Sequence, residues 1–596
     1  MYRAPMLRWK VCRALAALLA PGLVACGAAT HDQPTTGMAT QGRCSRDLAR
    51  AHMQRPTLQA EDVPACEAQC AHGDQGSCVA LGVLFLKGNG VPADLPRAET
   101  ILTHACDLGD ALGCSELGAM HVNGLGMAKD LARGLALFTK ACDAGEPIAC
   151  SNLGLMVERG AGTGKDEARA AALYAKACDG GFVSACDSLG GMYGEGRGVK
   201  KDPARAVALY TKACDGGVVD GCFVLGRRYQ DEDPGRAVAL YTKACDGGMM
   251  LGCNDLAAMY YAGRGVPKDD GRGLALFTKA CDGGDMESCG NVGVLYSEGR
   301  AVPKDQARAI ALFTKACDAD GVEACTNLAV IYANGQGVGK DIARAAALFA
   351  KGCDRGSAKG CGNIALMYEH GMDVGQDLGR AAALYAKACD GGFMQSCTDL
   401  GVVYEQGRGV QKDAGRAAAL YTKACDAGDA RGCNNLGGMY LGGQGVARDE
   451  RRALALYTKA CDAGEMLGCT NLGGMYENGR GVAKDEERGA ALYVRACEAG
   501  SAEACAGARS VAPAVFAREC GRGAALPCRY AGIAYAEKKG EGRAKVAHFF
   551  ESGCKLGDGP SCKLLGDRLG HGPEAKAAYA HGCALHDAAS CAEKDR

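Results

Sequence analysis

The residues of this chain best suited to chemistry are its cysteines, 36 among 596 residues. A thiolate can act as nucleophile, metal ligand or half of a disulfide, and spacing separates these roles. Cys12, Cys26, Cys44 and Cys66 stand apart. The rest form pairs with seven residues between the members: Cys70 with Cys78, Cys106 with Cys114, Cys142 with Cys150, Cys178 with Cys186, Cys214 with Cys222, Cys245 with Cys253, Cys281 with Cys289 and Cys317 with Cys325. They continue as Cys353 with Cys361, Cys389 with Cys397, Cys425 with Cys433, Cys461 with Cys469, Cys497 with Cys505, Cys520 with Cys528, Cys554 with Cys562 and Cys583 with Cys591. Zinc sites favour two to four intervening residues and often add histidine. No Cys-x-x-Cys redox motif occurs. The spacing points to a disulfide in each pair.

Other reactive groups are sparse. Ser552-Gly-Cys-Lys555 is the Ser-x-x-Lys match beyond the N-terminal leader, and its middle holds a paired cysteine. Neither Ser-Asp-Asn nor Lys-Thr-Gly accompanies it, as a serine β-lactamase requires. Gly160-Ala-Gly-Thr-Gly-Lys165-Asp166 mimics a phosphate-binding loop with the wrong spacing and the wrong last residue. His548, His571, His581 and His586 crowd the C-terminal end without acids at metal-ligand spacing. The sequence leads us to expect no catalytic residue, metal or cofactor.

The cysteines set a period, and the period defines the elements. From Cys70 to Cys497 the first members recur every 36 residues, with one 31-residue step between Cys214 and Cys245. Such a period marks a solenoid or array. In the unit from Cys389 to Cys425, Cys397, Leu400, Gly401 and Tyr404 make one helical face. Ala417, Leu420, Tyr421, Ala424 and Cys425 make a second. Between them, EQGRGVQKD supplies glycines to stop one helix and Asp413 to cap the next. Lys423 in the last turn suits the helix dipole. The short step lacks the GRGV loop, so deletion falls where packing tolerates it. A nine-residue disulfide loop constrains the unfolded chain by roughly 2.5 kcal/mol. With only 11 phenylalanines and one tryptophan, each unit has a small core that such bridges would reinforce.

Composition narrows the class. Apolar residues make up 48% and charged residues 23%, which argues against wholesale disorder. The 89 glycines follow no Gly-X-Y period, and the net charge of -1 gives no basic signature of nucleic-acid binding. So many cysteines suit an oxidising compartment outside the cytoplasm.

Residues 1–25 fit an export leader: Arg3, Arg8, Lys10 and Arg13 precede an apolar stretch from Ala14 to Ala25 that is too short to span a bilayer. Leu23-Val24-Ala25-Cys26-Gly27 resembles the lipobox of bacterial lipoproteins, which implies a lipid on Cys26. By analogy, Gly27 rather than Asp favours the outer membrane. Residues 27–43 then read as a tether. With Cys12 removed and Cys26 lipidated, Cys44 and Cys66 are left to pair, and no odd thiol remains.

The unit LGGMYENGRGVAKDEERGAALYVRACEAG (472–500) resembles a Sel1-like repeat, a relative of the tetratricopeptide repeat. The added cysteine pair makes it similar to the Helicobacter cysteine-rich protein family. The resemblance implies an all-α fold, a right-handed α-solenoid of disulfide-stapled helix–loop–helix repeats with a concave binding face. The organisation expected is a leader (1–25), a tether (26–43), an N-terminal cap (44–69), roughly twelve repeats (70–508) and divergent closing repeats (509–596). The resemblance also implies two functions of different class. One is a lipid-anchored envelope scaffold for proteins or peptides, held to the membrane by its lipid alone. The other is a β-lactam-binding or β-lactam-hydrolysing enzyme that would take β-lactams or peptidoglycan-derived ligands.

Two columns of polar residues are candidate sites. Two positions after the second cysteine stand Asn152, Asp255, Asn291, Asn327, Asn363, Asp399, Asn435 and Asn471. Stacking would align them into a ladder. The six asparagines would either grip a peptide backbone, as the comparable residue of tetratricopeptide repeats does, or satisfy polar groups between repeats. Asp107, Asp143, Asp179 and Asp215 follow first cysteines, where a local turn capping the next helix would explain them.

Overall fold

A computed structural model describes residues 63–593 apart from 89–90, 320, 500, 502–503, 506–512 and 538–541. The leader, Cys26 and the tether lie outside the described residues. So does Cys44, the partner expected for Cys66; Cys66 itself is buried and disulfide-bonded. Every regular element among the described residues is an α-helix. The chain divides between Lys304 and Asp305 into two compact units, each built of consecutive helix pairs.

One repeat shows why these residues fold this way. The first helix, Ala430–Gly442, ends at Gly443 in the left-handed region (φ 66°), whose N–H bonds back to the Met439 carbonyl. The second helix, Glu450–Asp462, starts at Asp449, whose carboxylate accepts from the Arg452 N–H at 3.0 Å. Between them Gly445 (φ 67°) lies against the preceding repeat: a Cβ there would sit 2.2 Å from the Ala414 carbonyl oxygen. Both loop glycines are therefore fixed by backbone geometry, one by the helix stop and one by close approach. Ala301 and Asp373 stand at this second position with positive φ, which costs conformational strain. In the 31-residue step the first helix, Val219–Tyr229, is also two residues shorter than its 13-residue counterparts.

The core is thin and repetitive. Ala417, Tyr421 and Ala424 are fully buried, with Leu436 and Met439 beside them. Among the described residues, sixteen disulfides join the end of one repeat's second helix to the start of the next repeat's first. In the first unit they are Cys70–Cys78, Cys106–Cys114, Cys142–Cys150, Cys178–Cys186, Cys214–Cys222, Cys245–Cys253 and Cys281–Cys289. The second unit holds Cys317–Cys325, Cys353–Cys361, Cys389–Cys397, Cys425–Cys433 and Cys461–Cys469. It closes with Cys497–Cys505, Cys520–Cys528, Cys554–Cys562 and Cys583–Cys591. Each pairing is the one that the seven-residue spacing predicts. Cα separations run from 4.4 Å at Cys583–Cys591 to 4.8 Å at Cys178–Cys186, inside the range disulfides require. This content of disulfides belongs to an oxidising, extracytoplasmic setting. No helix among the described residues is long and apolar enough to cross a membrane.

The acids after the first cysteines do not cap the following helix. Asp107, Asp143, Asp179 and Asp215 are the last residues of second helices. The cap that follows comes three residues later, from Asp110 or Glu146, or is missing at Phe182 and Val218. An aspartate three residues nearer the helix start has the reach to its free N–H groups that the post-cysteine acid lacks. Asp215 instead receives Lys243 from the next repeat at 3.3 Å.

First helices of successive repeats approach one another more closely than second helices do. This holds for Gln75–Lys87, Ala111–Asn123 and Pro147–Arg159 in one unit, and for Met394–Gln406, Ala430–Gly442 and Met466–Asn478 in the other. In these repeats the stack therefore bends with its first helices on the inner side, whereas from Glu486–Glu498 onward successive second helices approach one another as well.

Candidate functional site

The inner side exposes one stripe of each first helix. In Ala430–Gly442, Arg431, Gly438 and Gly442 are exposed and Asn435 is half-buried, at spacings of four, three and four. That spacing is one helical face. The stripe in the next repeat is Leu467, Asn471, Gly474 and Asn478. Every residue of the asparagine column thus faces the inner side: Asn152, Asn291, Asn327, Asn363 and Asn435 are half-buried, and Asn471 is exposed.

The amides have different partners. Asn291 Nδ2 donates to Asn254 Oδ1 at 3.1 Å, and Asn471 Nδ2 to Asn434 Oδ1 at 2.8 Å, each one repeat back. Asn435 Oδ1 accepts from its neighbour Asn434 at 3.3 Å. Asn152, Asn327 and Asn363 make no side-chain hydrogen bond among the described residues. The same column holds carboxylates. Asp399 accepts from Arg431 at 3.0 Å, while burial outweighs that pairing and raises its pKa. Burial lifts Asp255 to about 6 against the pull of Arg227, and it raises Glu116, which occupies the same position in its own repeat.

Beside the column runs a network that sequence patterns did not reveal. Tyr174 of a second helix donates to Glu158 Oε2 at 2.9 Å, and Arg197 from the next repeat's loop donates to Glu158 Oε1 at 2.5 Å. Tyr385, Glu369 and Arg408 repeat this triad at 2.5 and 2.7 Å. Tyr421 and Tyr493 likewise donate to Glu405 and Glu477, at 2.7 and 2.9 Å. Burial, then the glutamate bond, pushes the Tyr385 and Tyr421 hydroxyls far above their ordinary pKa, so they act as donors at neutral pH. Internal comparison carries the missed signal. Where the second helix has Phe138, Phe277 or Phe349 in place of tyrosine, the residue 16 earlier is Val122, Tyr261 or Ala333 in place of glutamate.

The weak catalytic motifs resolve into structure. Lys555 Nζ pairs with Glu551 at 2.6 Å and is not turned to Ser552, and Cys554 is closed with Cys562. Gly160 to Asp166 forms the ordinary interhelical loop, with Gly160 as helix stop and Asp166 as cap. His548, His571, His581 and His586 are exposed. His104 and His581 each lie near two cysteines, but those are the disulfides Cys70–Cys78 and Cys554–Cys562, which offer no thiolate to a metal.

Comparison with known proteins follows the same periodicity. The Sel1 repeat model matches twelve segments: 76–110, 111–146, 147–182, 183–218, 221–249, 251–285, 287–321, 322–357, 358–393, 395–429, 430–465 and 467–501. No curated protein matches the chain. Among solved structures, a protective antigen of uropathogenic Escherichia coli displaying an SLR fold is 24% identical, covering 80% of this chain and 98% of that one, with a TM-score of 0.54. That likeness shows the fold. A Sel1 repeat protein from Oxalobacter formigenes is 27% identical over 40% of this chain and 99% of its own, with a TM-score of 0.38. Helicobacter pylori cysteine rich protein B is 34% identical over 22% of this chain and 94% of its own, with a TM-score of 0.19. With repeat matches over most of its length and an all-helical stack to match, the chain belongs to the Sel1 repeat family.

Proposed function

We propose that this protein is a lipid-anchored scaffold of the bacterial envelope that binds proteins or peptides along its inner face. The observation that carries the reading is the inner stripe. Each repeat adds one equivalent position, and three of its amides, at Asn152, Asn327 and Asn363, keep their hydrogen-bonding capacity for a ligand. A solenoid extends such a surface with repeat number, so a long peptide meets an equivalent polar position, most often an amide, from repeat to repeat. Family membership supports the reading, since Sel1 repeat proteins generally mediate protein–protein interactions. Anchoring rests on the lipobox-like sequence ending at Cys26 and Gly27.

Photo-crosslinking in the native envelope tests the reading. A photoreactive residue at 363 or 435, on the inner stripe, should trap defined partner proteins. The same residue at 452, where Arg452 stacks 5.5 Å over Tyr440 away from the stripe, should not. Equal trapping at both places would move the binding surface off the inner face.

A further inference from the structure

Glu158 and Glu369 show how the inner face holds a carboxylate. One oxygen takes a tyrosine hydroxyl 16 residues later, and the other takes a guanidinium 39 residues later. The same pair of donors occurs again around a different centre. Tyr457 and Arg480 stand 16 and 39 residues after position 441, which is Leu441. Both donors are present without the internal acceptor.

Three observations describe what this leaves. Tyr457 is 3% exposed and makes no hydrogen bond among the described residues; burial alone raises its pKa. The Arg480 guanidinium is in no ion pair among the described residues, and the acid whose ionisation it favours, Glu450, is already held by Arg448 at 2.6 Å. At this junction the surface opens into a concavity of about 440 Å³ lined by Leu441, Asn471, Asn478, Arg480 and Tyr493 among others. The hydroxyl of Tyr421, the equivalent one repeat earlier, sits between Glu405 and Asn435. Repeat equivalence places the Tyr457 hydroxyl beside Leu441 and Asn471, which line the concavity together with Tyr493, whose own hydroxyl is held by Glu477. Exposed Gly438 bears no side chain to cover it: a Cβ there would lie 3.6 Å from the Tyr457 hydroxyl.

We propose that this concavity binds the carboxylate of an acidic side chain, glutamate-like in reach, carried by a peptide partner. Tyr457 donates to one oxygen and Arg480 to the other, as Tyr385 and Arg408 do to Glu369, with the Asn471 amide at the rim. The peptide as carrier rests on the function proposed above; the carboxylate preference does not. Charge-assisted hydrogen bonds to a carboxylate are about twice as strong as neutral ones. An uncharged amide would therefore be a poor substitute.

The test uses the disulfide-intact chain and calorimetric titration with three blocked or free peptides: acetyl-Ala-Ala-Glu-Ala-Ala-amide, its Gln counterpart, and acetyl-pentaalanine with a free terminus. The Glu peptide should bind about tenfold more tightly than the Gln peptide. Arg480→Ala and Tyr457→Phe should each remove that preference. Leu441→Glu should supply the carboxylate internally, block the Glu peptide and raise the melting temperature. Lys484→Ala, a nearby cation already paired with Glu486 at 2.7 Å, should leave the preference unchanged. A parallel crystal soak in sodium propionate should place that carboxylate between Tyr457 and Arg480. Equal binding of the Glu and Gln peptides would overturn the proposal while leaving peptide binding standing. Propionate at the site with no peptide bound would retain the carboxylate site and overturn the peptide as carrier. Preference for the free terminus would overturn the side-chain assignment.

Discussion

Lys423 Nζ donates to the carbonyl oxygen of Cys389, 34 residues earlier and one repeat away, at 3.2 Å. The same reach recurs from Lys140 to Cys106 at 3.0 Å, Lys176 to Cys142 at 2.7 Å and Lys459 to Cys425 at 2.7 Å. The acceptor lies in the last turn of the preceding second helix, where free carbonyls and the helix dipole favour a cation. Each lysine thus holds two repeats together beside the disulfide. Lys423→Met should keep the packed stem and lose the bond. The expected cost is about 1 kcal/mol, because the ammonium is partly solvated. Urea denaturation of the oxidised protein should show that loss; no shift would mean the lysine contributes nothing across the junction.

The disulfide at each junction should carry more. Replacing Cys425 and Cys433 together by serine should cost roughly 2.5 kcal/mol on the chain-entropy estimate and loosen the repeats on either side. Hydrogen exchange should show faster exchange in Ala414–Asp426 and Ala430–Gly442 than in helices several repeats away. Thiol titration of the denatured, unreduced wild type should find almost no free thiol; several per chain would contradict the pairing.

Much of this was legible in the sequence, and the part that was not shares one physical cause. Cys397, Leu400 and Gly401 announced a helix face, and Asp413 announced a cap, because helix spacing and capping act within a few residues. The disulfides were legible for the same reason: Cys106 and Cys114, or Cys461 and Cys469, close a loop of nine residues. The Tyr385–Glu369–Arg408 triad joins two helices and the loop of the next repeat, and Lys423 reaches a carbonyl 34 residues away. Neither has a local pattern. Lys423 was readable as a cation near its own helix end, but the carbonyl it binds belongs to the preceding repeat. The post-cysteine acids do not cap, although they stand close to the next helix, because Asp110 and Glu146, three residues on, hold the capping geometry. The asparagine column was visible from the period alone, whereas the partner of each amide depends on whether a neighbour such as Asn254 or Asn434 stands one repeat back.

Asp255 should give the stack a pH dependence. Burial, reinforced by Glu287 and Asp285 and opposed by Arg227 and Asn254, raises its pKa from 3.8 to about 6. The folded chain then binds the proton more tightly than the unfolded chain. Stability is fully present below the unfolded value and falls as pH rises from about 4 to about 6. Asp255→Asn should remove this slope and stabilise the protein at pH 7 by about 3 kcal/mol. Melting temperatures measured across that range check it; a slope unchanged in the variant would assign it to another group.

Cys26 is the residue on which the proposed anchor depends. Cys26→Ala should leave the exported protein without lipid and shift it from the membrane fraction to the soluble fraction after lysis. Membrane retention equal to wild type would refute a lipid on this residue.

Peptide binding by the inner face is tested most directly by replacing Asn327, Asn363, Asn435 and Asn471 together with alanine and measuring two things on one sample. These are affinity for a partner captured at position 363 or 435, and helicity with its thermal midpoint. Each amide contributes about 1 kcal/mol net to a peptide hydrogen bond, so affinity should fall by several kcal/mol. Helicity should hold, with a small loss of midpoint from the Asn471–Asn434 and Asn434–Asn435 bonds. Unchanged affinity would contradict binding by the amides, and a collapse of helicity would show that they serve the stack instead.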